Sequence, residues 1–206
     1  MARGSFPLGP ESGWLRLHVF REGVVSALGH DLVLEAESWS GTLAGDPEHP
    51  GEVEVTVSVP ISSLFVREAQ GGLRKLTPQD KESIRDRIAT TLRGHEHPTL
   101  QFSARGAQLQ GVRDGGGFGK GTLAGSLAVA GRSEPLEVRF TFTRQGEDVR
   151  ISGGAEVVQT RWGVTPFKGL HFGLRVRDSV EVYFDLLLTG GGAVNWEGGA
   201  DAVGQG

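Results

Sequence analysis

His95 and His97 stand two residues apart in LRGHEHPTLQFSA (92–104), and two imidazoles at that spacing share a face when the chain is extended. Pro98 pushes His97 toward extended geometry, so the pair could begin a zinc site. Zinc requires three or four ligands. The remaining candidates are His30 with Asp31 in LGHDLVLEA and His171 in FKGLHFG, while His49 lies in a turn cluster. There is no His-Glu-x-x-His and no other metal spacing. The chain has no Cys, which removes thiolate ligands, a Cys nucleophile and any disulfide. The plainer account makes HEHP a helix-to-strand corner with His97 packed and hydrogen-bonded, and it assigns no metal. Other chemistry is weaker still. GGGFGKGTLAG (115–125) brushes past the phosphate-loop patterns, but Gly121 follows Lys120 where Ser or Thr is needed, and TLAGSLAVAG continues as a strand rather than a helix. No Gly-x-Ser-x-Gly elbow supports a Ser nucleophile. No catalytic residue emerges, and the chain reads as something other than an enzyme.

The elements that carry these residues repeat with period two. In GEVEVTVSVP (51–60), Val53, Val55, Val57 and Val59 fall on one face and Glu52, Glu54, Thr56 and Ser58 on the other, the mark of a half-buried antiparallel strand. Leu15, Leu17 and Val19 alternate likewise, as do Leu100, Phe102 and Ala104, and Leu123, Leu127 and Val129. So do Leu136, Val138, Phe140 and Phe142, and Val180, Val182, Phe184 and Leu186; LVLEAESW (32–39) is a weaker case. Turn clusters separate the runs at 45–51, 113–117 and 144–148. The spacing predicts eight or nine strands. A single helix is predicted in LTPQDKESIRDRIATTLRG (76–94): Thr77 caps, Pro78 suits the first turn, Asp80 completes a capping box, Ile84, Ile88 and Leu92 form an apolar stripe, and Gly94 stops it. One helix cannot cover so many half-apolar strands. Their greasy faces must therefore meet each other, in a barrel or a sandwich.

The 206 residues carry a net charge of −4, so no cationic field draws nucleic acid. No stretch approaches the ~20 apolar residues of a membrane span. The N-terminus has no apolar secretion signal, which points to the cytoplasm. Residues 1–13 and the Gly-rich 189–206 cannot bury enough surface to order themselves, which leaves 14–188 as one domain.

Two further stretches carry a family pattern. His97, Pro98, Leu100 and Phe102 lead into Gly125, Leu127, Val129, Gly131, Pro135 and Leu136, and the last strand carries Asp178, Val180 and Val182. In order and spacing these resemble the YceI-like family of lipocalin-like barrels. The resemblance implies an all-β, antiparallel, eight-stranded lipocalin-like barrel with one helix in a long connection. It further implies an elongated apolar lumen for a long amphiphile such as a polyprenyl quinone or another isoprenoid, and pairing into homodimers. A capped helix and TTLRGHEHP stand here where many relatives carry a pair of aromatics before the Pro.

The leading functional expectation is binding, carriage or storage of an isoprenoid or fatty-acyl chain, with no other cofactor. Val55, Val57, Phe102, Leu127, Phe140 and Phe184 would line the lumen. Phe65, Trp162, Phe167 and Phe172 would sit nearer its opening, with His30, His97 or Lys168 left to select the head group. Two rival readings are a metal-dependent enzyme built on His30, Asp31, His95, His97 and His171, and a scaffold whose barrel is plugged by Phe102, Phe140, Phe142 and Phe184.

Overall fold

The computed structural model describes residues 4–23, 26–45, 50–113, 117–169 and 174–190. Among them the alternating segments form eleven strands: β1 (Gly4–Leu8), β2 (Gly13–Glu22), β3 (His30–Ala36), β4 (Ser40–Gly45), β5 (Glu54–Pro60), β6 (Leu64–Gly71), β7 (Thr99–Arg113), β8 (Phe118–Val129), β9 (Arg132–Gln145), β10 (Asp148–Val158) and β11 (Arg175–Leu188). The helix α1 (Pro78–Thr91) connects β6 to β7. All strand pairs are antiparallel, in the order β1-β4-β5-β7-β8-β9-β10-β11-β2-β3-β6.

That order forces the sheet to curl. β4 is second in the sheet and β3 is tenth, yet only residues 37–39 separate them; β5 is third and β6 eleventh, with only Ile61–Ser63 between. The two ends of the sheet must therefore come together. Bulges assist the bending: the β7–β8 register shifts between Ala104 and Ala107 and again between Gln110 and Arg113. The result is a half-barrel whose last strand, β6, is backed by α1.

The count differs from the expected eight because three runs break at bends. Residues 9–12 divide β1 from β2, residues 37–39 divide β3 from β4, and a 3-10 turn at Ile61–Ser63 divides β5 from β6. The N-terminal stretch expected to lack order also contributes: Gly4–Leu8 pairs residue for residue with Gly41–Gly45. The C-terminal stretch from residue 191 lies outside the described residues.

Local chemistry explains the best-formed connections. The Thr77 hydroxyl accepts from the Asp80 backbone N–H at 3.2 Å, and the Thr77 N–H donates to Asp80 Oδ2 at 2.8 Å, a complete capping box. The helix ends one residue earlier than the glycine suggests, since Arg93 itself adopts the left-handed conformation at φ 55°. Between β8 and β9, Val129 faces Arg132 across the two residues Ala130 and Gly131. Both have positive φ, 49° and 82°, the requirement of a type I′ hairpin turn.

Two clusters of buried residues pack inside the curl. Leu8, Ala36, Trp39, Val59, Leu64, Leu186 and Leu188 make one; Val129, Ala130, Trp162 and Val164 make the other. Trp162 is only 1% exposed, and its indole N–H donates to the Leu127 carbonyl at 2.7 Å.

Candidate functional site

Beyond the contacts within these two buried clusters, the inward faces of the strands stay apart. They enclose a continuous cavity of about 660 Å³, within the ~300–1,000 Å³ typical of small-molecule pockets. Leu15, Leu17 and Val19 of β2 form part of its wall, together with Val55, Val57 and Val59 of β5. The β11 contribution runs from Val176 to Leu186, a stretch that at ~3.3 Å per residue and a ~40° strand tilt extends about 25 Å along the barrel. The cavity is thus long, narrow and almost wholly hydrocarbon.

It stays open because glycines make room for the phenyl rings. A Cβ on Gly125 would come within 2.6 Å of the Phe102 ring, and one on Gly121 within 2.4 Å of the Phe140 ring. Each ring therefore occupies space above a neighbouring strand where a side chain would otherwise stand. It lies along the wall rather than across the lumen. Phe142 rests in the same way on Gly119 and is not part of the wall. The plug expected in the scaffold reading is absent among the described residues.

One end of the cavity has a polar rim. Arg21, His30, Asp80, Arg87 and Arg175 reach the wall there, with Phe167 and Leu174. Most are already engaged. The Arg21 guanidinium donates to the Gly29 carbonyl and lies 3.8 Å from Asp31. Arg175 pairs with Glu22 at 2.7 Å. The His30 Nε2 lies 2.8 Å from the Arg74 carbonyl; a carbonyl only accepts, so that nitrogen carries the proton. Asp80 takes hydrogen bonds from the Arg74 guanidinium, at 2.6 Å, and from Thr77, which hold its carboxyl well below the usual carboxylate range. It is the one acidic side chain on the wall among the described residues, so no carboxylate pair is available for acid–base catalysis there.

The structure brings together most of the residues expected at the site. Val55, Val57, Phe102, Leu127, Phe140 and Phe184 all stand on the cavity wall, as do Trp162, Phe167 and His30. Phe65 does not. It pairs with Glu35 on the outer face, while Leu64 and Val66 point inward. His97 is also displaced from the lumen: a Cβ on Gly131 would meet its ring at 2.5 Å, so the imidazole is a packing element of the β8–β9 turn. Lys168 bridges to Arg175 as an isolated strand pair but is not on the wall. Phe172 and His171 lie outside the described residues. Among the described residues no three of His, Asp or Glu converge as metal ligands. Arg21, Arg87 and Arg175 join the wall without having been anticipated. Arg87 was the most readable of these, since it lies three residues beyond Ile84 on the edge of the helix's apolar stripe.

The family model for the YceI-like domain matches residues 24–188. The chain belongs to the YceI-like family. Among solved structures it is similar to Burkholderia cenocepacia BcnA, with a TM-score of 0.59 at 15% identity, over 85% of this chain and 96% of that one. It is also similar to the Campylobacter jejuni YCEI protein, with a TM-score of 0.51 at 12% identity, over 76% of this chain and 83% of the other. At such identities the likeness is one of fold. No curated protein matches the chain.

The YceI-like pattern has a physical reading in this structure. His97 packs on Gly131, the glycine of the I′ turn. Gly125 accommodates Phe102. The Asp178 carboxylate accepts from the Thr160 N–H at 2.9 Å and from the Thr160 hydroxyl at 2.6 Å, which fixes the 3-10 turn (Gln159–Trp162) that seats Trp162. The motif's His97, glycines and Asp178 thus build the barrel, while its apolar members, Phe102 and Leu127 among them, supply part of the cavity wall. Among the described residues no helix is long and apolar enough to cross a membrane.

Proposed function

We propose that this YceI-like chain binds, and so carries or stores, a long apolar amphiphile such as an isoprenoid, a polyprenyl quinone or a fatty-acyl chain. The observation that carries the reading is the shape and chemistry of the cavity: long, continuous, walled by aliphatic and aromatic side chains, with polar groups gathered at one end. Burying a chain of about ten methylenes there would contribute on the order of 8 kcal/mol before the costs of association. Affinity then follows chain length, and a rim that touches only the head would discriminate among heads. A binding role also agrees with a wall whose single acid is committed to a helix cap.

Native mass spectrometry of the freshly purified full chain, followed by lipid extraction, tests this. The expected result is a bound amphiphile, or stoichiometric uptake of added polyprenyl quinone or long-chain fatty acid. Leu127→Trp, which fills the lumen from near the C-terminal end of β8, is expected to abolish uptake while the thermal transition remains cooperative. Absence of any co-purified or added lipid in the wild-type chain would overturn the reading.

A further inference from the structure

We propose that the polar end of the cavity contains an oxyanion subsite centred on Arg87, so that the occupant is an amphiphile headed by a carboxylate or a phosphate. This rests on the cavity reading above and narrows it to a ligand class.

The argument begins with which charges are already matched. Of the three arginines on the wall, Arg21 is engaged by Gly29 and Asp31 and Arg175 by Glu22. The one acid on the wall among the described residues, Asp80, is turned toward Arg74 and Thr77. Arg87 has no carboxylate or carbonyl partner among the described residues. Its guanidinium instead lies over the Phe167 ring, 4.7 Å from the centroid. A guanidinium held by its flat face keeps its N–H groups pointing outward in the plane. That fork is matched by a carboxylate or a phosphate, which can accept two of its hydrogen bonds side by side. A neutral hydroxyl or quinone oxygen matches only one.

The surroundings favour the same assignment. Ser83 and Thr91 lie one helical turn before and after Arg87 and also reach the wall; the Ser83 hydroxyl donates to the Gln79 carbonyl at 2.9 Å, which leaves the Thr91 hydroxyl as the second polar group on this stretch of the helix. The covering segment is cationic in an acidic chain. From Arg67 to Arg93 there are seven Lys and Arg against four Asp and Glu, while the whole protein carries −4. An anionic head approaching this end meets a segment of net positive charge.

The test is calorimetric titration of the delipidated full chain with four ligands: a C18 fatty acid, the matching fatty alcohol, geranylgeranyl monophosphate and geranylgeraniol. Each acid–alcohol pair shares a chain and differs at the head. The expected result is that at least one of the two acids binds about tenfold or more tightly than its alcohol, and which acid shows the larger gain identifies the head group. Arg87→Gln should erase that gain and leave the alcohols unchanged; Arg87→Lys should keep part of it. Arg139→Gln, on the outer face of β9, should leave it intact. Equal binding of acids and alcohols by the wild-type chain would overturn the subsite and leave the cavity reading standing, as would a preference that survives Arg87→Gln. Failure of all four to bind would overturn both.

Discussion

His97 and Gly131 show how a residue suited to chemistry can be fully occupied by packing. The imidazole fills the space over the α-carbon of a glycine whose φ of 82° already disfavours any side chain. Gly131→Ala would force a Cβ into that ring and impose a left-handed alanine costing about 1–2 kcal/mol. Urea denaturation is expected to show at least that loss as a lower midpoint with an unchanged slope. The pattern of Phe65 is equally instructive. Counting by twos from Val59 places residues 61, 63 and 65 on the inner face. The 3-10 turn at Ile61–Ser63 shifts the parity, so that Leu64 and Val66 turn inward and Phe65 outward. A one-residue slip exchanges the two faces of a strand, and no residue in ISSLF announces it. By contrast Val55, Val57, Phe102, Leu127, Phe140 and Phe184 were readable because unbroken alternation carries each of them to the wall.

At the scale of the element, α1 was the most legible part of the chain and its role the least. Its capping box, its first-turn proline and its apolar stripe can all be read in TPQDKESIRDRIATTL. That the stripe would line a lumen as well as pack, through Ile88 and Leu92, on the buried clusters depends on the curl of a sheet assembled from distant strands, which local spacing does not contain. The cap makes the helix sensitive to acid. Arg74 and Thr77 lower the Asp80 carboxyl below its unfolded value, so its contribution is complete above the ordinary carboxylate range and is lost as the pH falls below it. Hydrogen exchange of the α1 amides is expected to accelerate on acidification below about pH 4, while the central strands stay protected. Asp80→Asn should exchange faster at neutral pH and show a flatter acid response. An acid response identical to that of the wild type would show that the cap does not control the helix.

At the scale of the molecule, alternation gave the antiparallel class, and counting faces gave a barrel or a sandwich, because one helix could not cover so many half-greasy strands; the apolar lumen was implied only by the resemblance to the YceI-like family. The number of strands did not follow, since bends at residues 9–12, 37–39 and 61–63 interrupt the runs; Gly9-Pro10 marks the first, while the other two carry no comparable signal. A barrel with a hollow interior gives up the packing that a filled core would have supplied, and an occupant restores it. A ligand at about 100 times its Kd is expected to stabilise the fold by about 2.7 kcal/mol. For a chain of this size that corresponds to a rise in Tm of roughly 5–10 °C, measurable by differential scanning calorimetry with and without added amphiphile.

β6 closes the sheet order without a strand on its far side, and α1 lies against it, with Lys81 donating to the Val66 carbonyl at 3.2 Å and Arg85 to that of Ser62 at 3.1 Å. The helix that walls the lumen therefore also shields a bare strand border. If cargo enters by lifting this helix, each loading event briefly uncovers main-chain groups ready to recruit a strand from another molecule. Rapid exchange of contents and resistance to clumping are then opposed in this protein, and a change that frees the cover to speed one would worsen the other.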